Sequence, residues 1–242
     1  MKQNTPVMKM IVLSMLVALG VVISPILRVE GMCPMAHFIN IVCSVLLGPW
    51  YSLLCAVLIG VLRMAFMGIP PLALTGAVFG AFLSGALYRL SKGKLICAVL
   101  GEVIGTGLIG AVVSYPVMTL LWGREGLSWI FYIPSFTAGT LIGGSIAFVF
   151  LRKLADSGML ARMQQALGSE AYADRSSVLS NALTIAAFGG IAFVVIEILM
   201  SVFHLEGKVW TGIAYGSLGV CAAAAVIYYF IRKGGKHIAA DP

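Results

Sequence analysis

Charged side chains are scarce in this sequence. Asp, Glu, Lys and Arg make up 10% of the 242 residues, whereas soluble globular domains contain about 25%. Hydrophobic residues make up 60%, and a soluble protein cannot remove that much apolar surface from water. The same composition excludes a disordered chain. The sequence is therefore that of an integral membrane protein whose first partner is the lipid bilayer.

Several chemical motifs are also missing. The five cysteines form no C-x-x-C pair, so neither a disulfide framework nor a cysteine-rich metal site is predicted. No G-x-x-x-x-G-K-[ST] segment occurs, so the chain lacks the loop with which P-loop proteins bind and hydrolyse ATP. We expect no metal and no cofactor in this chain, and no catalytic residues.

Eight apolar segments meet or approach the roughly 20 residues that a transmembrane helix needs. They cover residues 7–27, 36–47, 50–66, 72–88, 95–121, 128–151, 178–203 and 209–231. We expect an all-α integral membrane protein with a six-helix domain at 1–153, a polar cytoplasmic linker at 154–177 and a two-helix membrane extension at 178–242. Within the linker, the spacing of Leu160, Met163 and Leu167 predicts a short helix on the membrane surface.

The basic residues predict the orientation of the chain. With the N-terminus inside, twelve Lys and Arg residues lie in inner segments, and three, Arg28, Arg124 and Lys208, lie in outer loops. This positive-inside bias predicts a multi-pass protein of the cell membrane with both termini in the cytoplasm. It also explains the net charge of +7 without a nucleic-acid partner.

Three ionisable residues, Arg63, Glu102 and Glu197, lie inside predicted spans. Such residues are costly in a bilayer and mark functional sites by default. Arg63 and Glu102 are expected either to form an interhelical ion pair or to line a polar cavity. Glu197 has no evident partner within its own segment.

More polar and aromatic residues converge near the predicted outer ends of the helices. His37 and Asn40 lie three residues apart and hence on one helix face. Tyr115 and Trp129 are predicted at the outer ends of the fifth and sixth helices, where aromatic residues commonly form an interfacial belt. The alternative is a small cavity suited to a neutral heteroaromatic ligand.

Small residues predict close helix contacts. Glycines crowd the fourth, fifth and sixth helices, and Ser14 and Ala18 form a small-xxx-small pair in the first. Packing within the chain and a face for a partner subunit are both consistent with this pattern. Two other functions also stay open: an intramembrane hydrolase that uses Ser145 and His204, and a membrane scaffold with no outer cavity.

Four segments point to a known family: PMAHFIN at 34–40, LGPWY at 47–51, LR at 62–63 and GEVIGTG at 101–107. Through them, residues 8–153 resemble the ThiW-type, thiazole-specific substrate-binding (S) component of energy-coupling-factor (ECF) transporters. The resemblance implies a six-helix S-component bundle that captures hydroxyethylthiazole, a thiamin precursor. It also implies a transmembrane T subunit, which contacts Ser14 and Ala18, and two ATPase subunits that use ATP.

Hydroxyethylthiazole is neutral, so its binding calls for stacking and hydrogen bonds. His37 and Asn40 would then serve its ring nitrogen and hydroxyl while Arg63 pairs with Glu102, whereas a phosphorylated or carboxylated ligand would recruit Arg63 directly. The chain differs from the family pattern at Ala36, at Met64 and across residues 66–77. An S component for another small heterocycle or vitamin is therefore the alternative.

Overall fold

The computed structural model describes residues 5–25, 33–172 and 207–238, together with single positions between 182 and 200. The chain divides into two compact units, Met1–Asp174 and Arg175–Pro242. Every regular element within the described residues is helical. The predicted all-α class is therefore confirmed.

Among the described residues, seven helices belong to the first unit and one continuous helix belongs to the second. They are α1 (Thr5–Ile23), α2 (Pro34–Leu47), α3 (Pro49–Met67), α4 (Leu72–Leu90), α5 (Leu95–Leu121), α6 (Ile133–Asp156), α7 (Met159–Ala166) and α8 (Lys208–Ile238). Within the described residues, six helices are long and apolar enough to cross a membrane: α1, α3, α4, α5, α6 and the Lys208–Arg232 part of α8. The predicted span at 178–203, with Glu197, lies largely outside the described residues.

The helix boundaries follow from glycine and proline. Gly48 has a φ of +93° between α2 and α3, a backbone conformation that favours glycine. Pro49 then begins α3, as proline often does at a first helical position. At the other end of the bundle, Ile133 and Pro134 begin α6. The prediction that this helix starts at 128 is wrong, and Trp129 lies in the preceding turn.

Helix α2 is the centre of the first unit. Its 14 residues span about 21 Å, less than the roughly 30 Å of a hydrocarbon core. Twelve of the 14 residues are buried, because α1, α3, α4, α5 and α6 all pack against α2. Its polar side chains therefore face protein rather than lipid.

Helices α4 and α5 approach each other through glycines. A Cβ at Gly105 would lie 2.5 Å from the Cα of Gly80, and a Cβ at Gly110 would lie 2.9 Å from the carbonyl oxygen of Gly76. The segment Val103–Gly110 of α5 is a π-helix, whose i→i+5 hydrogen bonds place one more residue in each turn. This wider turn keeps Gly105 and Gly110, five residues apart, on the same face. These glycines therefore serve packing within the chain.

The segment after α6 folds back onto the end of the bundle that carries the N-terminus. Gln164 of α7 is buried and donates hydrogen bonds to the carbonyl oxygen of Val45 at 2.9 Å and to Tyr88 Oη at 3.1 Å. Leu160 and Leu167 are buried beside it. The short helix was predicted correctly, but its apolar face packs on protein rather than on the membrane surface.

Candidate functional site

A buried polar cluster joins α2 to α5 near the middle of the bundle. Glu102 of α5 is 0% exposed, and its Oε1 lies 2.9 Å from His37 Nδ1, 3.0 Å from Asn40 Nδ2 and 3.2 Å from Thr106 Oγ1. Since Oε1 accepts from the amide and the hydroxyl, we assign the ring nitrogen as its third donor. We call these four residues the Glu102 cluster.

The helices position this cluster directly. His37 and Asn40 lie one turn apart on α2, and Glu102 and Thr106 lie one turn apart on α5, so each pair shares a helix face. Ser52 of α3 donates a hydrogen bond to the carbonyl oxygen of Asn40 at 2.9 Å. The cluster therefore ties three helices together in the interior of the bundle.

Glycines make room for the cluster's side chains. A Cβ at Gly80 would meet Thr106 Oγ1 and would lie 2.9 Å from Glu102 Oε2. A Cβ at Gly139 of α6 would lie 3.4 Å from His37 Nε2, so the free edge of the imidazole faces that helix. Glu102 Oε2 has no hydrogen-bond partner among the described residues. The cluster thus retains an acceptor oxygen and a ring nitrogen for further contacts.

Arg63 lies apart from the cluster. Its side chain is buried, with 4% of the residue exposed, yet the described residues offer it no ion pair and no partner for Nε. Of the two arrangements expected for Arg63 and Glu102, the interhelical ion pair is wrong. Contacts of Gly101 with Ser84 and of Gly85 with Pro49 place Glu102 about 12 residues before the level of Arg63 on α3, a separation of about 18 Å in depth.

The aromatic candidates lie farther toward the opposite end. Tyr115 and Trp129 contact each other, with ring centroids 4.5 Å apart, and Trp129 is 57% exposed. Tyr115 is 13 residues beyond Glu102 on α5, roughly three helical turns farther along the bundle. The six predicted site residues therefore form three groups: the Glu102 cluster with His37 and Asn40, isolated Arg63, and the pair of aromatic rings.

Sequence reasoning missed two residues that shape the Glu102 cluster. Thr106 lies in the GEVIGTG segment, four residues after Glu102, and this helical spacing alone could have identified it. Gly80 lies on α4, and its role depends on how α4 approaches α5. No local sequence signal specifies that approach.

The remaining predicted positions lie on the surface of the first unit. Ser14 and Ala18 are exposed on α1, and the hydroxyl of Ser14 bonds the carbonyl oxygen of Met10 at 2.9 Å. Ser145 is exposed on α6, and His204 lies outside the described residues. Among the described residues, no group of three His, Cys, Asp or Glu side chains could hold a metal ion.

Comparison with known proteins identifies the family. Residues 10–157 match the family described as "Thiamine-precursor transporter protein (ThiW)", and this range begins within α1 and includes all of α2 to α6. No curated protein and no solved structure matches the chain. The apolar helices and the family together describe a multi-pass membrane protein. The chain belongs to the ThiW family of thiamine-precursor transporters.

Proposed function

We propose that this chain is the substrate-binding S component of an ECF importer for a thiazole-type thiamin precursor, with hydroxyethylthiazole as the ligand to test first. One observation carries the proposal: the Glu102 cluster is a buried polar group at the centre of the family-matched bundle. Small-molecule sites combine apolar walls with a few placed polar groups of this kind.

The cluster offers hydrogen bonds that suit a neutral heterocycle. His37 Nδ1 is engaged by Glu102, so Nε2 is the nitrogen that meets the ligand. A protonated ring donates from Nε2 to the thiazole nitrogen, and a neutral ring accepts there from the ligand's hydroxyl. Glu102 Oε2, which lacks a partner among the described residues, is a second acceptor for that hydroxyl.

The binding test is isothermal titration of the purified chain with hydroxyethylthiazole, with thiamin as the comparison ligand. Saturable binding of the thiazole is expected, together with loss of binding in His37→Ala. Ser44→Ala is the matched control, because Ser44 is also a buried residue of α2 but bonds Ser84. Full affinity in His37→Ala would remove His37 from the site, and absence of binding in the wild type would refute the thiazole assignment.

Transport requires partners in this proposal. A T subunit would dock on the exposed face of α1 that carries Ser14 and Ala18, and two ATPase subunits would supply the energy from ATP. Ser14→Leu is expected to abolish ATP-dependent uptake in vesicles that contain all the subunits and to leave ligand binding unchanged. Unchanged uptake in Ser14→Leu would place the T subunit elsewhere. Protease accessibility of tagged termini tests the N-in, C-in orientation in the cell membrane.

A further inference from the structure

Among the described residues of the first unit, Arg63 is the one buried cation. No described acidic group lies close enough to balance its charge. It lies on the interior stripe of α3, which also includes Ser52, Cys55 and Ile59. Its guanidinium forms no hydrogen bond or ion pair with the described residues, and Nε is fully enclosed. An arginine keeps its charge at any ordinary pH, so burial without a partner is unfavourable.

The described acids are engaged or lie elsewhere. Glu102 Oε1 already accepts three hydrogen bonds. Asp156 pairs with Arg152 at 3.1 Å, and Glu170 accepts from Tyr172, both at the end of the bundle that carries the N-terminus. Glu125 is exposed in the loop between α5 and α6. An anion from outside the described residues would therefore complete the Arg63 environment.

We propose that Arg63 binds an anionic group, a carboxylate or a phosphate, carried by the thiazole-type precursor; this inference rests on the proposed function. Planar guanidinium groups bind such oxyanions through paired, charge-assisted hydrogen bonds. Ser44 of α2 meets Ser84 of α4, and Gly60 of α3 meets Leu74 of α4. Arg63 therefore stands about 9 Å farther than His37 from the end of the bundle at which α1 begins, at 1.5 Å per residue. A thiazole ring beside His37 would thus direct the anionic end of its side chain toward Arg63.

The experiment compares four probes by isothermal titration of the purified full chain. They are neutral hydroxyethylthiazole, its phosphate monoester, a thiazole with a carboxylate side chain, and inorganic phosphate. At least one anionic thiazole is expected to bind about tenfold or more tightly than the neutral alcohol. Arg63→Gln is expected to remove this preference and Arg63→Lys to keep part of it. Arg124→Gln, an exposed arginine in the loop between α5 and α6, is the control and is expected to keep it fully.

The outcomes separate this inference from the proposed function. If neutral hydroxyethylthiazole binds and both anionic thiazoles bind more weakly, the function stands and the Arg63 assignment is overturned. If inorganic phosphate binds as well as the thiazole phosphate, the site is a free-anion site and the assignment also falls. If no thiazole binds, both proposals fail.

A second variant guards against loss of folding. Arg63→Met replaces the cation with an apolar chain, and in the ligand-free protein it is expected to melt at or above the wild-type temperature, because no hydrogen bond or ion pair to the described residues is lost. A clear fall in melting temperature would mean that the guanidinium is held within the chain itself, which would overturn the proposal.

Discussion

Replacing Glu102 with alanine should destabilise the bundle more than any other single removal of a polar side chain. The change leaves the donors of His37, Asn40 and Thr106 without their shared acceptor at a buried position. Each unsatisfied buried donor costs about 1–3 kcal/mol. The costs are not additive within one network, so we expect a total of about 3–5 kcal/mol, the range for breaking a buried ion pair.

The assay is thermal unfolding of the purified protein in one detergent, followed by circular dichroism. For a protein of this size, about 1 kcal/mol corresponds to 2–4 °C, so Glu102→Ala should melt about 6–20 °C below the wild type. Glu125→Ala is the matched control, because Glu125 is an exposed acid in a loop. The melting temperature of Glu102→Gln should lie between those of Glu102→Ala and Glu125→Ala, since its amide oxygen still accepts hydrogen bonds while the charge is lost.

The result that refutes this reasoning is equal melting of Glu102→Ala and Glu125→Ala. Such a result would mean that the three donors find other acceptors at no cost, and that the cluster does not join α2 to α5. A loss of melting temperature in Glu102→Gln as large as that in Glu102→Ala would instead assign the stability to the carboxylate's charge. The two variants therefore separate hydrogen bonding from electrostatics.

Three further predictions concern packing and the end of the bundle that carries the N-terminus. Gly80→Ala should lower the free energy of unfolding by about 1–3 kcal/mol, because the added Cβ meets Thr106 and Glu102. Gly216→Ala on α8 is the control and should be neutral or stabilising, because there is open space around Gly216. Equal melting temperatures of the two variants would contradict the contact at Gly80. Gln164→Ala should speed tryptic cleavage at Arg162 by releasing the α7 segment from Val45, and an unchanged rate would argue against that anchor. The pKa of Tyr172 is raised from 10.0 to about 12, mainly by partial burial and secondly by the hydrogen bond to Glu170. The contribution of the neutral Tyr172 to stability should therefore persist below pH 10 and be lost as the pH rises through 12. Ultraviolet titration should show this late ionisation in the wild type and not in Tyr172→Phe.

The order of the first six helices could be predicted from the sequence because the bilayer imposes a length and an apolar composition on each span. The break at Gly48 and Pro49 was readable for a local reason: neither residue favours a continuous helix at that position. The start of α6 was misplaced because residues 128–132 are apolar enough to extend a span, although they form turns.

The partners of Glu102 could not be predicted, because they depend on which helix occupies the centre of the bundle. Segment 36–47 is the shortest of the predicted spans, yet α2 is almost wholly buried and brings His37 and Asn40 to Glu102. Charge complementarity favoured Arg63 as the partner, but helix rise separates the two residues in depth. The π-helical turns of α5 likewise become evident only when Gly105 and Gly110 are matched to α4.

Glu102 and Arg63 are both buried ionisable residues, but only Glu102 has hydrogen-bond partners among the described side chains. Three donors within the chain satisfy Glu102 Oε1, so this oxygen stabilises the fold whether or not a ligand is bound. Arg63 lacks such partners among the described residues, so a ligand can supply the free energy that its burial costs. We therefore expect opposite behaviour in the empty protein: Glu102→Ala lowers the melting temperature and Arg63→Met does not. With an anionic thiazole present, the wild type should gain thermal stability, and Arg63→Met should gain less at the same ligand concentration. An equal gain in both would contradict an anion site at Arg63, even if the ligand binds beside His37.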